Sequence, residues 1–355
     1  MSKFLKDYYK SFEAYIPGEQ PKDGEYIKLN TNESPFPPAP QVVSSLSGED
    51  VELLRLYSDP NLSVLKEKLA KLYDVHSENV FVSNGSDDIL NFAFMAWGHG
   101  GAVFPEITYG FYPVFAQLHG IPFETIPLES DFTIDYKKFC STGRMVVVAN
   151  PNAPTGDARP LWEIEEIVKS NQENIVLVDE AYVDFGGESA LPLTKKYKNV
   201  LVVRTFSKSR CMAGARLGYA FADKELIDDL KKIKFSTNPY NINRLTAKLG
   251  EATVDAQEYY AQKCEEIIKI REYSKEKLQT LGFDVLPSKA NFLFAKCEKI
   301  DGEELYLKLK EKHILVRHFT TDKISQYNRI TIGTKEQMDK LIDAIESILS
   351  EGENI

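Results

Sequence analysis

The chain has 355 residues, with 53 acidic against 43 basic side chains and a formal net charge of −10. Hydrophobic residues make up 43% and charged residues 27%, enough apolar material for about two folded domains and too much for a disordered scaffold. The acidic balance without a basic stripe argues against a nucleic-acid partner, and the absence of a long apolar run argues against a membrane span.

The first residues, Met1 to Tyr15, alternate charges with aromatics and lack the apolar core of a secretory signal. Cys140, Cys211, Cys264 and Cys297 lie far apart and form no CxxC pair. The expectation is a cytoplasmic protein with reduced thiols. Tyr15-Ile16-Pro17-Gly18 is a turn signal, and the proline-rich stretch from Asn32 to Pro40 should be extended. Leu62, Leu65, Leu69 and Leu72 follow helical spacing. Val80-Phe81-Val82 reads as a short buried strand running into Asn84-Gly85-Ser86-Asp87 and a helix through Trp97.

Strands and helices then alternate. Met145–Ala149, Ile175–Val178, Val200–Val203 and Leu217–Phe221 are continuous apolar runs, with a helix over Trp162–Ser170. Such runs predict an α/β fold with a mostly parallel sheet covered by helices on both faces. From about residue 255 the texture changes. A charged helix over Tyr259–Leu281 precedes apolar segments at Phe283–Leu286, Asn291–Ala295, Ile314–Val316 and Arg329–Ile332, with helices near 302–312 and at the end. This part predicts a smaller α+β unit with an antiparallel sheet.

Ligands of a parallel sheet sit beyond the carboxyl ends of its strands. After Val82 comes Asn84-Gly85-Ser86-Asp87, where a helix N-terminus suits phosphate. After Ala149 comes the rigid turn Asn150-Pro151-Asn152-Ala153-Pro154-Thr155-Gly156. After Val178 comes Asp179-Glu180-Ala181-Tyr182, and after Val203 comes Thr205-Phe206-Ser207-Lys208, followed by Gly214-Ala215-Arg216-Leu217-Gly218. Taken singly, Asp179 reads as a helix cap, Lys208 as a solvated lysine and Arg216 as an ion-pair partner. Together they match the needs of pyridoxal phosphate: a lysine for a Schiff base, a carboxylate for the pyridine nitrogen, and an anion site. No phosphate-binding GxxxxGK[ST] loop, HExxH or GxSxG motif is present. The five histidines show no metal-ligand spacing, so no metal is expected. Ser63-Val64-Leu65-Lys66 matches SxxK inside a helix, without its companion motifs.

The ordered series Asn-Pro-Asn-x-Pro-Thr-Gly, Asp-Glu-Ala-Tyr, Ser-Lys and Ala-Gly-x-Arg-Leu-Gly-Tyr resembles the class I/II aminotransferases of fold type I. The resemblance implies that Lys208 carries the Schiff base and that Asp179 pairs with the pyridine nitrogen. It implies that Tyr182 and Asn152 hold the ring hydroxyl, that Gly85, Ser86, Asp87, Ser207 and Arg216 gather at the cofactor and its phosphate, and that Tyr109 stacks on the ring. Within that family, Leu29-Asn30-Thr31-Asn32-Glu33-Ser34-Pro35 and Leu56-Tyr57-Ser58-Asp59-Pro60 resemble the histidinol-phosphate branch. That likeness implies a homodimer in which Tyr57 reaches the neighbour's cofactor phosphate. It also places Tyr15, Asn32, Arg317 and Arg329 at the substrate. Two guanidinium forks suit an enzyme that takes both a phosphate-bearing amino donor and a dicarboxylic 2-oxo acid. Ala153 and Ser34 stand where asparagines are commoner, and Ser209-Arg210-Cys211-Met212 follows the lysine where small apolar residues are common. These departures bear on substrate, and the expectation for Ala153 is little effect. The implied division is an N-terminal arm (1–28) joining the small domain and dimer interface, a large cofactor-binding domain (29–250) and a small C-terminal domain (251–355). An aromatic-amino-acid aminotransferase, a phosphothreonine decarboxylase of the same fold and a non-catalytic regulator are the competing readings; intact Lys208, Asp179 and Arg216 speak against the last.

Overall fold

The computed structural model describes residues 2–12, 15–21 and 25–352. A two-residue strand β1 (Ile27–Lys28) precedes a seven-stranded sheet. The seven strands are β2 (Val80–Ser83), β3 (Ala102–Pro105), β4 (Phe123–Ile126), β5 (Met145–Ala149), β6 (Val176–Asp179), β7 (Val200–Thr205) and β8 (Gly218–Phe221), in the order β2-β8-β7-β6-β5-β3-β4. The runs at β5, β6 and β7 are buried at every position, as strands covered on both faces must be. The helices Ser86–Trp97 and Phe111–Leu118 pack their apolar sides on one face, and Leu161–Ser170 covers the other.

One strand departs from the parallel pattern. β8 runs antiparallel to both its neighbours, with Gly218 opposite Ser83 of β2 and Thr205 of β7. Its amino end therefore lies beside the carboxyl ends of β2 and β7, which brings Arg216 to the same edge as Asn84–Ser86 and Ser207–Lys208.

A four-stranded antiparallel sheet follows, built from β9 (Phe283–Val285), β10 (Phe292–Cys297), and two later strands. The apolar pair β11 (Ile314–Leu315) does not join it, pairing instead in parallel with β1. β12 (Arg317–His318) and β13 (Asn328–Thr331) complete the sheet in the order β12-β13-β10-β9. The long helix Gln257–Thr280 and the last helix Lys335–Gly352 pack over it around a shared apolar core. Arg271 of the long helix donates to the carbonyls of Phe185 and Ala290, both at 2.9 Å, and so ties this layer to the segment after β6. Among the described residues, no helix is long and apolar enough to cross a membrane.

Candidate active site

Asp179 ends β6 as a buried carboxylate. One oxygen accepts from the Tyr112 hydroxyl at 2.8 Å and the other from the Ala181 N–H at 3.2 Å. Burial pushes its pKa up to about 6, and these two donors hold it from rising further. Sequence reasoning missed Tyr112. It sits fully buried on the helix Phe111–Leu118, where its spacing signals core packing. Next to Asp179, Glu180 accepts from Arg204 of β7 at 2.8 Å, an almost water-free ion pair that binds the ends of β6 and β7 together. The ends that carry Asp179 and Lys208 are thus one rigid unit.

Lys208 follows β7 and donates to the Thr31 carbonyl at 3.2 Å. Its ammonium lies 5.8 Å from the centre of the Tyr182 ring. Arg216, in a left-handed conformation (φ 53°), lays its guanidinium against Gly85. A Cβ at Gly85 would stand 2.6 Å from the Arg216 Nη2, and φ there is +86°, so only glycine fits. A Cβ at Gly218 would meet the Gly85 and Ser86 backbone at 2.4 Å. The two glycines let the arginine, the Ser207 hydroxyl (3.4 Å from Arg216 Nη1) and the amino end of the helix Ser86–Trp97 converge as an anion cradle. Asp87 spends one oxygen on the Tyr109 hydroxyl at 2.8 Å and the other on Arg216 at 3.2 Å. It orients the aromatic and the arginine at once.

The asparagine of the proline turn, expected at the ring hydroxyl, is hydrogen-bonded within the protein. Asn152 is fully buried behind the wall. Its amide donates to the Ile107 carbonyl (2.9 Å) and Thr155 (3.0 Å) and accepts from Thr108 (2.7 Å). It therefore holds the loop that carries Tyr109, and Ala153 is the residue of the turn that faces the cavity. Consecutive residues of a turn point in different directions, which spacing alone does not resolve.

Tyr182 lines the cavity, and its hydroxyl accepts from Asn32 at 2.9 Å. Arg317 and Arg329 stand directly opposite each other on β12 and β13. Arg329 donates to the Asn30 carbonyl at 3.0 Å, while its buried Nε has no hydrogen-bond partner among the described residues. Burial lowers the pKa of its guanidinium, and the Arg317 charge adds to that. Tyr15 packs on Phe111 with ring centres 4.2 Å apart. Glu19, a few residues on, pairs with Lys310 at 2.8 Å and accepts from Tyr306. The arm therefore spans from the large sheet's helix to the small sheet's layer. Tyr57 does not enter this site. It is 78% exposed and stacks on Tyr240, with ring centres 4.4 Å apart.

These groups surround two adjoining cavities. The inner one, about 310 Å³, is walled by Ser86, Tyr109, Asp179, Tyr182, Lys208 and Arg216. The outer one, about 770 Å³, shares Tyr109, Tyr182, Lys208 and Arg216 and continues to Tyr15, Asn32, Arg317 and Arg329. An amine, a buried carboxylate and an anion cradle thus open onto a chamber with two guanidinium groups. Among the described residues, no group of three or more His, Cys, Asp or Glu is placed to hold a metal ion.

The family described as aminotransferase class I and II matches residues 24–345. The chain belongs to that family. This aminotransferase is 50% identical over 352 residues to a histidinol-phosphate aminotransferase of Brachyspira hyodysenteriae, covering 98% of this chain and 99% of the relative. It is 48% identical over 355 residues to one of a Marinomonas species, covering 98% and 100%. Its fold matches the crystal structure of a histidinol-phosphate aminotransferase from Sinorhizobium meliloti in complex with pyridoxal-5'-phosphate, with a TM-score of 0.89, 22% identity and 99% coverage of both chains.

Proposed function

We propose that this enzyme is a pyridoxal-phosphate-dependent histidinol-phosphate:2-oxoglutarate aminotransferase of L-histidine biosynthesis. The observation that carries the reading is the continuity of the two cavities, with Lys208 and Asp179 in one and Arg317 and Arg329 in the other. The two relatives at 50% and 48% identity share the name of this transaminase over nearly their whole length.

The residues fit the cofactor. The carboxylate of Asp179 is buried and poised near neutral pH, as a partner for a protonated ring nitrogen should be. The cradle of Gly85, Ser86, Ser207 and Arg216 offers donors to a phosphate, and the Tyr109 ring lines the wall of a space suited to a flat ring. When bound, pyridoxal phosphate supplies an electron-accepting ring conjugated with the substrate's α-carbon. Asp179 keeps the charge that this ring nitrogen needs. Arg216 and Ser207 hold the phosphate against the helix end. Lys208, among the described residues the one amine in the inner wall, holds the cofactor in the resting enzyme. Its amine would then take the α-proton from the donor and deliver it to the cofactor carbon on the far side of the donor nitrogen. The second half-reaction runs the same steps backwards with the 2-oxo acid, in a ping-pong order. Arg329, with its unpartnered Nε, and Arg317 opposite it bind the phosphate of the donor or the far carboxylate of the acceptor. Tyr15 and the arm border that chamber and limit its access to water.

The proposed organisation is an arm (1–28), a cofactor-binding domain (29–250) and a small domain (251–355), assembled as a homodimer. Exposed Leu53, Leu54, Leu56 and Tyr57 form an apolar surface on one segment, which a second copy would cover. Four free cysteines accord with a cytoplasmic setting.

The test is a paired half-reaction on protein loaded with pyridoxal phosphate. Histidinol phosphate alone should convert the cofactor band to the pyridoxamine form, and 2-oxoglutarate should then restore it and yield glutamate. Conversion only by aromatic amino acids, or carbon dioxide release from phosphothreonine, overturns the substrate assignment.

A further inference from the structure

We propose that Asn32 and Thr331 are positioning residues that fix the Tyr182 hydroxyl as a hydrogen-bond donor into the inner cavity. The inference rests on the reading that pyridoxal phosphate fills that cavity. Its starting point is a chain of buried hydrogen bonds whose directions determine one another.

The Asn32 backbone N–H donates to the Thr331 Oγ at 2.9 Å. The Thr331 hydroxyl has one proton, which it gives to the Asn32 Oδ1 at 3.0 Å. That contact makes the oxygen end of the Asn32 amide the acceptor, so the nitrogen end faces Tyr182 and donates to its Oη at 2.9 Å. The Asn32 carbonyl is fixed in turn by the Asn291 amide at 3.0 Å. Asn32 adopts φ 56°, a left-handed conformation that asparagine tolerates well. Asn32, Thr331 and Asn291 are all buried.

Tyr182 is therefore an acceptor on the Asn32 side, and its own proton points elsewhere. Among the described residues no acceptor takes that proton. The Phe292 ring, edge-on at 5.1 Å, holds the phenol ring in place. The amide of Asn152 is committed to Ile107, Thr108 and Thr155, and Ala153 offers none. This leaves the Tyr182 hydroxyl as the donor of that wall, available to an anionic oxygen of a bound cofactor ring. Arg329 and Thr331 lie on the same face of β13, two residues apart. The strand that presents the substrate arginine thus also sets the polarity of the cofactor's phenol partner.

A donor to the ring's phenolate oxygen favours the deprotonated form of the loaded enzyme and lowers the pH midpoint of its visible absorbance band. The charged and titratable groups around Tyr182 are Lys208, Asp179, Asp87, Arg216 and Tyr112 from the large sheet and its helices, Glu33 from the segment after β1, Tyr109 from the facing loop, Tyr15 from the arm, and Arg329 and Arg317 from the small sheet. The substitutions below leave all of them in place. The experiment is a spectrophotometric pH titration of holoenzyme. Tyr182→Phe removes the donor and should raise the midpoint by about one pH unit. Asn32→Gly accepts the left-handed φ and adds no charge, but removes the amide that orients the Tyr182 proton, and should raise it as well. Thr331→Val should raise it, and Thr331→Ser should restore it. Asn32→Gly added to Tyr182→Phe should move the midpoint no further. An unchanged midpoint in both Asn32→Gly and Thr331→Val beside a raised one in Tyr182→Phe overturns the proposal, as do additive effects in the double variant. A wild-type protein with no cofactor band overturns the cofactor reading itself, and this inference with it.

Discussion

Tyr112 and Asp179 meet at 2.8 Å, phenol to carboxylate, where the buried end of β6 faces the inner cavity. The carboxyl is ordinarily half-ionised at 3.8; here burial raises that to about 6 against the pull of the Tyr112 donor. As pH climbs past the ordinary value, the unfolded chain ionises first and the native state loses stability. The loss is complete just above about 6. In Tyr112→Phe the donor is gone, so the native carboxyl ionises later and the decline extends to higher pH. Urea unfolding of the cofactor-free protein, followed from about pH 4 to about pH 8, should show the variant losing about 1.4 kcal/mol more for every tenfold further weakening of the acid. Asp157 and Glu180 are raised by burial too, but they contribute equally to both proteins and cancel in the difference. Superimposed curves would show that Tyr112 does not tune Asp179.

The same carboxylate predicts how cofactor binding depends on pH. A protonated ring nitrogen relieves the burial cost of ionised Asp179, so the thermal stabilisation by pyridoxal phosphate should grow between about pH 5 and about pH 7. Asp179→Asn carries no charge to relieve and should flatten that growth. Differential scanning calorimetry with and without cofactor measures both.

The anion cradle is held by two glycines rather than by charge alone. Arg216→Ala should weaken pyridoxal-phosphate binding by about 10–100-fold, the range expected for losing a charge-assisted hydrogen bond. Gly85→Ala should produce a comparable loss while leaving every charge in place, since its Cβ would displace the guanidinium at 2.6 Å. Fluorescence titration of the cofactor decides it, and an unaffected Gly85→Ala would mean that the arginine is free to move.

The sequence made much of this legible where chemistry and burial coincide. Continuous apolar runs such as Val146-Val147-Val148 and Leu201-Val202-Val203 exist only in strands covered on both faces, and the polar residues after them mark the sheet's ligand edge. β4 was not foreseen. It is an edge strand whose first three residues, Phe123, Glu124 and Thr125, are exposed, so it carries no apolar signature. The direction of β8 was equally invisible, because a buried antiparallel strand has the same composition as a parallel one. Ile314-Leu315 read as part of the antiparallel sheet, yet it pairs in parallel with Ile27-Lys28, a contact across nearly the whole chain. At the site, Lys208, Asp179, Tyr182 and Arg216 line one cavity. Tyr112 was not foreseen, because a tyrosine among aromatics carries no signal of its contact with the buried carboxylate of Asp179.

The paired arginines should separate by substrate. Arg329 is the more enclosed and has the unpartnered Nε, so Arg329→Ala should raise KM for both histidinol phosphate and 2-oxoglutarate by about 10–100-fold. Arg329→Lys should recover little, because an ammonium cannot reproduce the planar fork. Arg317 and Arg329 both lie 5.8 Å from the centre of the Phe319 ring, but Arg329 is also anchored to the Asn30 carbonyl. Arg317→Ala should therefore raise KM for the phosphate-bearing donor more than for the acceptor. Steady-state kinetics with each substrate varied in turn reads both effects, and equal changes for the two substrates in Arg317→Ala would remove its special role.

The proposed dimer makes a prediction that does not depend on any single substitution being gentle. Tyr57 stacks on Tyr240 away from the cavity of its own chain, so a role at the cofactor requires a second copy. Lys208→Ala and Tyr57→Ala should each be strongly impaired alone. Mixed, unfolded and refolded together in equal amounts, they form hybrids in which one site combines Lys208 from one protomer with Tyr57 from the other. Half of the dimers are hybrids and each has one intact site of two, so about one quarter of wild-type activity should return. Mixing without refolding should return less, according to how fast subunits exchange. If refolded mixtures show only the average of the two parents, Tyr57 acts within its own chain or not at all, and the shared site is excluded.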